Sequence, residues 1–123
     1  LKSRFITLII SALFVLGCQN SVPFNSEKWK ECDQSFDCIL GNTRLQMVND
    51  LLKSEILLYK KRSEIDHLLG KSRMGYFSSS NIQNYKVKEE YFYLNIDPCI
   101  TYLEITFDKN GISQSVELKK QQT

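Results

Sequence analysis

Residues 103–112 read Leu-Glu-Ile-Thr-Phe-Asp-Lys-Asn-Gly-Ile, and this stretch decides the fold. Leu103, Ile105 and Phe107 share one side of the pleat, while Tyr102, Glu104 and Thr106 take the other. That period of two marks a half-buried strand over 100–107. Asp108-Lys109-Asn110-Gly111 then places glycine where a hairpin turn needs a positive φ. Beyond the turn, residues 112–119 form a second strand, with Ile112, Val116 and Leu118 inward around Gln114. Upstream, Phe92, Leu94 and Ile96 alternate with Tyr91, Tyr93 and Asn95, which predicts a further strand over 91–96. A turn at Asp97-Pro98-Cys99 joins it to the next. Placing residue 94 opposite 103, and 103 opposite 116, keeps the inward residues of all three strands together.

Before the strands the period is helical. Leu45, Val48 and Leu52, with Met47 and Leu51, recur at three- and four-residue steps from Thr43 onward. Thr43 and Gln46 have capping-box spacing. This helix ends between Ser54 and Leu58. A second helix covers 62–69, with Ile65, Leu68 and Leu69 as its apolar face, Ser63 and Asp66 in a weaker capping pattern, and Gly70 as the residue that closes it. Residues 71–90, rich in Ser, Asn and Lys, read as a long loop or an irregular edge strand. The expected fold class is α+β: two helices packed on one face of a three-stranded antiparallel meander.

The start of the chain has a different character. Lys2 and Arg4 precede an apolar run over 5–16, which as a helix spans about 18 Å. A hydrocarbon core is about 30 Å thick, so the run is too short to cross it. A basic start, a short apolar run and a small residue at the break describe a secretory signal peptide over 1–17. Removing it takes two of the sixteen basic residues and leaves fourteen against fourteen acidic ones. The remaining chain is formally neutral, so it lacks the basic footprint of a nucleic-acid binder. Residues 18–40 are read as a cysteine at the new start, a polar tether over 19–26 containing Pro23, and an extended but ordered lead-in in which Trp29 and Phe36 have apolar surface to bury. The α+β domain is assigned to 41–120.

Val15-Leu16-Gly17-Cys18 resembles a bacterial lipobox, which implies cleavage before Cys18 and diacylglycerol on its sulfur. Two or more acyl chains anchor a protein stably, where one binds only marginally. With Cys18 committed to lipid, three thiols remain. Export permits a disulfide, and Cys32 and Cys38, six residues apart in a polar segment, are the expected pair, with Cys99 free. A metal site has little support, since His67 is the sole histidine and no CxxC is present.

The order of motifs also resembles the SmpA/OmlA family of small bacterial lipoproteins. It runs from Trp29, Arg44, Met47, Asp50, Leu51 and Leu52, through Leu68-Leu69-Gly70-Lys71-Ser72 and Tyr91-Phe92-Tyr93, to residues 103–112. The resemblance covers about 43–119 together with the lipobox. Tyr59 and Lys61 stand where the family has glycine and threonine or serine, and Ser72 where it has proline. The best-known member of the family serves the machinery that inserts β-barrels into the outer membrane, and the family offers no catalytic residue to carry over.

Three function classes follow. The first is a non-catalytic interaction or scaffold module in the cell envelope, held by its lipid on the outer membrane and facing the periplasm, with an envelope protein as partner and no cofactor. The second is a periplasmic inhibitor or ligand-binding lipoprotein, by analogy with β-lactamase-inhibitor domains. The third, an enzyme, lacks a catalytic triad, a metal set or a phosphate loop; His67 is expected to face solvent. The expected working surface is the sheet face turned away from the helices, with Tyr91, Tyr93, Tyr102 and Glu104 as candidate contacts. Tyrosine suits interfaces, and it equally suits cross-strand packing.

Overall fold

The computed structural model of the chain describes residues 22–72, 81–91 and 98–122. Among the described residues, four helices precede the sheet: α1 (Ser26–Glu31), α2 (Phe36–Leu40), α3 (Thr43–Ser54) and α4 (Arg62–Leu69). The strands are β1 (Ile82–Glu90), β2 (Cys99–Phe107) and β3 (Ser113–Gln122), antiparallel and in the order β1-β2-β3. The protein is α+β, as the two periods in the sequence require.

The core lies between the helices and one sheet face. Met47 and Leu51 of α3 and Ile65 and Leu69 of α4 meet Val87, Leu103, Ile105 and Phe107. α4 has the expected span, and α3 begins at Thr43 as expected. Its N-cap is Asn42, however, so Thr43 is already helical and the capping box is not formed. On α4 the cap is Lys61, whose amide donates to Glu64 Oε1 at 3.3 Å, in place of the Ser63–Asp66 pattern. The turn after β2 is as read. Gly111 has φ 78°, Asp108 N donates to Ile112 O at 2.8 Å, and Asp108 Oδ1 accepts from the amides of Asn110 and Ile112.

Other expectations change. The first strand of the sheet is Ile82–Glu90, within the segment left between loop and edge strand, and not 91–96. Both edges of β2 are taken, by β1 and β3. Tyr91 lies outside the strands, and residues 92–97, with Tyr93 and Leu94, lie outside the described residues. The register shifts accordingly: Leu103 faces Tyr85 and Leu118, while Val116 faces Ile105. A two-residue slip preserves the face of each side chain, although Leu118 sits at the rim, 39 % exposed.

The lead-in is helical rather than extended, since it contains α1 and α2. Nor is residues 22–26 a free tether. Val22 N donates to Gln46 O at 3.0 Å and Phe24 N to Asp50 Oδ2 at 2.7 Å, so the chain runs along α3 before entering α1. Residues 1–21, including the expected signal peptide and Cys18, lie outside the described residues.

The link between α3 and α4 turns on two left-handed residues, Glu55 (φ 56°) and Tyr59 (φ 59°). It is tied to β3 by Ser113, which donates through Oγ to Leu57 O and accepts there from Lys60 N, while its carbonyl accepts from Tyr59 N. Tyr59 is 72 % exposed and occupies a conformation that glycine adopts without steric cost. Tyr59→Gly is therefore expected to stabilise the fold by about 0.5–1 kcal/mol, the strain relieved less the added entropy of the unfolded chain. A denaturation midpoint that falls instead would show that the ring contributes packing.

Candidate interaction surface

The most elaborate polar arrangement joins the lead-in to the domain. Asn25 caps α1 by accepting from Lys28 N, and one turn later Trp29 is wholly buried, edge-on to Phe24 at 6.1 Å between ring centroids. Arg44, in the first turn of α3, lies 4.8 Å from the Trp29 ring centroid and is itself buried. Its Nε and Nη2 donate to Trp29 O at 2.9 and 2.7 Å. Nη1 donates to Lys86 O on β1 at 2.6 Å, and Nη2 also pairs with Asp33 Oδ1 at 3.0 Å. One guanidinium thus binds α1, the segment after it and the sheet edge. Burial pulls its pKa below the ordinary value, and Asp33 opposes that pull. The expected Cys32–Cys38 bridge closes the same region, with Cα atoms 5.1 Å apart, and Cys99 is free.

Beside the clamp is a cavity of about 150 Å³, lined by Cys32, Asp33, Ile39, Arg44, Lys71, Tyr85 and Lys86. Tyr85 is held by its hydroxyl, which donates to Gly70 O at 2.8 Å and accepts from Gln83 Nε2 at 2.9 Å. Gln83 Nε2 also reaches Asp66 Oδ1 at 3.0 Å. Burial, reinforced by Asp66, raises the Tyr85 pKa well above the ordinary phenol value, so the hydroxyl stays protonated and works as a donor. The chemistry available here is hydrogen bonding and charge pairing. Among the described residues no three His, Cys, Asp or Glu side chains converge, and His67 is exposed on α4.

The sheet face away from the helices carries two of the four expected surface residues in one place. Tyr102 and Glu104 are neighbours on it, opposite Lys86 and Asn84 of β1 and Lys119 and Glu117 of β3. Both are half-buried, not open, and Asn84 beside them is buried. Tyr91 is 55 % exposed but stands past the last β1–β2 pair, Glu90 with Cys99, at the end of the sheet. Tyr93 is outside the described residues.

A register shift between Lys86 and Lys88 explains what Tyr91 does instead. The extra residue brings Lys86 and Glu89 onto one face, where Lys86 Nζ meets Glu89 Oε1 at 2.6 Å and Tyr91 OH donates to Glu89 Oε2 at 2.8 Å. Burial alone would raise the Glu89 pKa, but the bonds from Lys86 and Tyr91 outweigh it and hold the pKa below the ordinary 4.5. A carboxylate depressed on folding contributes stability that is present above its unfolded pKa and lost as pH falls through the folded one. Glu89→Gln is expected to flatten the decline in stability below about pH 4.5, measured by urea denaturation across pH. An unchanged acid limb would mean that the triad contributes nothing.

The sequence did not reveal the burial of Arg44, the roles of Asp33 and Gln83, or the inward position of Tyr85. One signal was available: Arg44 precedes Met47, Val48 and Leu51 by three, four and seven residues, which sets it on the apolar stripe. No protein-family model, no curated protein and no solved structure matches this chain.

Proposed function

We propose that the chain is a lipid-anchored protein of the bacterial cell envelope, and that the unit described here is a non-catalytic interaction or scaffold module. Its anchor is lipid on Cys18, its membrane the outer one seen from the periplasm, and its partner an envelope protein. Outer-membrane assembly is the setting that the SmpA/OmlA resemblance suggests. The observation that carries the reading is the docking of Val22 and Phe24 on α3. Four residue steps separate Cys18 from Val22, a reach of at most about 14 Å. A lipid at Cys18 would hold the module against the membrane surface, as suits a protein that works on membrane-embedded partners. No helix among the described residues is long and apolar enough to cross a membrane, so attachment in this reading rests on the lipid.

Cys18→Ala is expected to move the protein from the detergent phase to the aqueous phase of a detergent partition and to abolish incorporation of labelled fatty acid. An unchanged detergent-phase fraction would refute the anchor. Purification of the native chain from detergent-solubilised envelopes then tests the role. Integral outer-membrane proteins in stoichiometric yield support a scaffold, whereas one soluble hydrolase would favour the inhibitor reading.

A further inference from the structure

The two outer edges of the sheet are treated differently. On β1 the carbonyls of Asn84 and Lys86 point away from β2, and the chain itself closes them: Ser72 Oγ donates to the first and Arg44 Nη1 to the second. Residues alternate in direction along a strand, so Gln83 and Tyr85 bond toward β2, and their opposites Ile105 and Leu103 turn toward β1. Tyr102, Glu104 and Thr106 then bond toward β3, through Lys119, Glu117 and Ser115. That leaves the N–H and C=O groups of Val116, Leu118 and Lys120 directed outward. The link before α4 covers only the beginning of this edge, at Ser113. Among the described residues no backbone group bonds to the rest.

An exposed ladder of this kind is a template for another strand, and the side chains beside it specify which. Glu104 and Glu117 stand directly opposite each other, like charge against like. Lys119 Nζ compensates Glu104 at 2.9 Å but remains 3.8 Å from Glu117, whose side chain is 61 % exposed. We propose that this edge pairs with the same edge of a second copy of the chain, antiparallel, about a two-fold axis at Leu118. In that register each Glu117 faces the second copy's Lys119, which adds a second cation to the 3.8 Å ion pair that Glu117 makes with the Lys119 it must share with Glu104. An axis at residue 117 or 119 would instead set Glu117 or Lys119 against itself. The outward direction of Leu118 makes the central pair a hydrogen-bonded one, as the ladder requires.

The helix-side face supports the same pairing. Leu118 is 39 % exposed at the rim although Leu103 opposite is wholly buried. Val116 adjoins a groove of about 300 Å³ lined by Leu52 and Leu58 among others. The axis at Leu118 brings the two Leu118 side chains together and lays the aliphatic stem of the second copy's Lys120 over Val116. One strand edge is a small interface, so the association is expected to be weak and concentration-dependent.

Sedimentation equilibrium of the full chain in density-matched detergent tests this. The native chain is expected to show a monomer–dimer equilibrium. Glu117→Lys should weaken it by roughly tenfold or more, since like charges then face each other twice across the axis. The same substitution relieves the clash with Glu104, so unfolding would not explain the loss. Glu117→Lys combined with Lys119→Glu should restore the dimer. A native chain that stays monomeric up to about 1 mM, a dimer indifferent to Glu117→Lys, or a double variant that stays weak would each overturn the proposal.

Discussion

Arg44→Ala is expected to destabilise the fold by about 3–5 kcal/mol, the range for removing one partner of a buried, hydrogen-bonded charge pair. Truncation strips Trp29 O of both guanidinium donors, leaving it only the Cys32 amide at 3.3 Å, and removes the Arg44 bonds to Lys86 O on the β1 edge and to the Asp33 carboxylate. It also removes the guanidinium packed over the Trp29 ring. The losses at Trp29 and Asp33 fall on the contact between lead-in and domain, so the effect should appear as partial detachment of α1 before global unfolding. Trp29 is the single tryptophan and is wholly buried, which makes its emission a direct reporter. The expected observation is a red shift at urea concentrations where the far-ultraviolet signal of the sheet persists. Arg44→Lys should recover only part of the loss, because an ammonium lacks the planar fork that serves two carbonyls and a carboxylate at once. A loss below about 1 kcal/mol, typical of a surface site, would show that the clamp is ornamental.

The clamp also shows why some of this fold could be read from the sequence and some could not. β2, the Asp108–Gly111 turn and α4 were legible because local rules act alone there: a period of two, a glycine at positive φ, and an apolar face closed by Gly70. β1 was not, because its buried positions include Gln83, Asn84 and Glu89, and only Tyr85 and Val87 look like core. Its strand is specified by what lies against it, namely β2 on one side and Arg44 and Ser72 on the other. The alternation after Glu90 drew the expected strand away from 82–90, since alternation alone does not say which segment reaches the neighbouring edge. The Cys32–Cys38 pair was legible from spacing. The helices on either side of it were not, since segments of five and six residues are too short to show a period. Of the candidate surface, the common face of Tyr102 and Glu104 followed from strand parity. Its partial burial depends on neighbours that no local pattern encodes.

Gly70→Ala is expected to cost about 2 kcal/mol or more, within the range for a residue forced into a glycine-only conformation. Gly70 closes α4 with its amide on Asp66 O at 2.8 Å, at φ 79° and ψ 178°, a region that a Cβ-bearing residue rarely enters. As a helix-closing residue alone it would be replaceable at modest cost. Its surroundings make it more demanding, because α1 docks on the same helix end. Ser26 Oγ donates to Leu68 O at 2.6 Å and Lys30 Nζ to His67 O at 3.0 Å, so the lead-in satisfies the last carbonyls of α4. A Cβ on Gly70 would meet Asp33 Oδ2 at 3.3 Å and Lys30 Cγ at 3.5 Å. The carboxylate that would have to yield is the one paired with Arg44. Backbone strain and pressure on the clamp therefore add, and the Tyr85 hydroxyl bond to Gly70 O at 2.8 Å resists relief by a shift of the backbone. A double-mutant cycle separates the two contributions: in an Asp33→Ala background the cost of Gly70→Ala should shrink by about 0.5–1 kcal/mol, as for residues in contact, and the remainder is strain. A cost below about 1 kcal/mol in the native background would mean that the helix end relaxes freely, and that α1 is held far more loosely than its hydrogen bonds to α4 require.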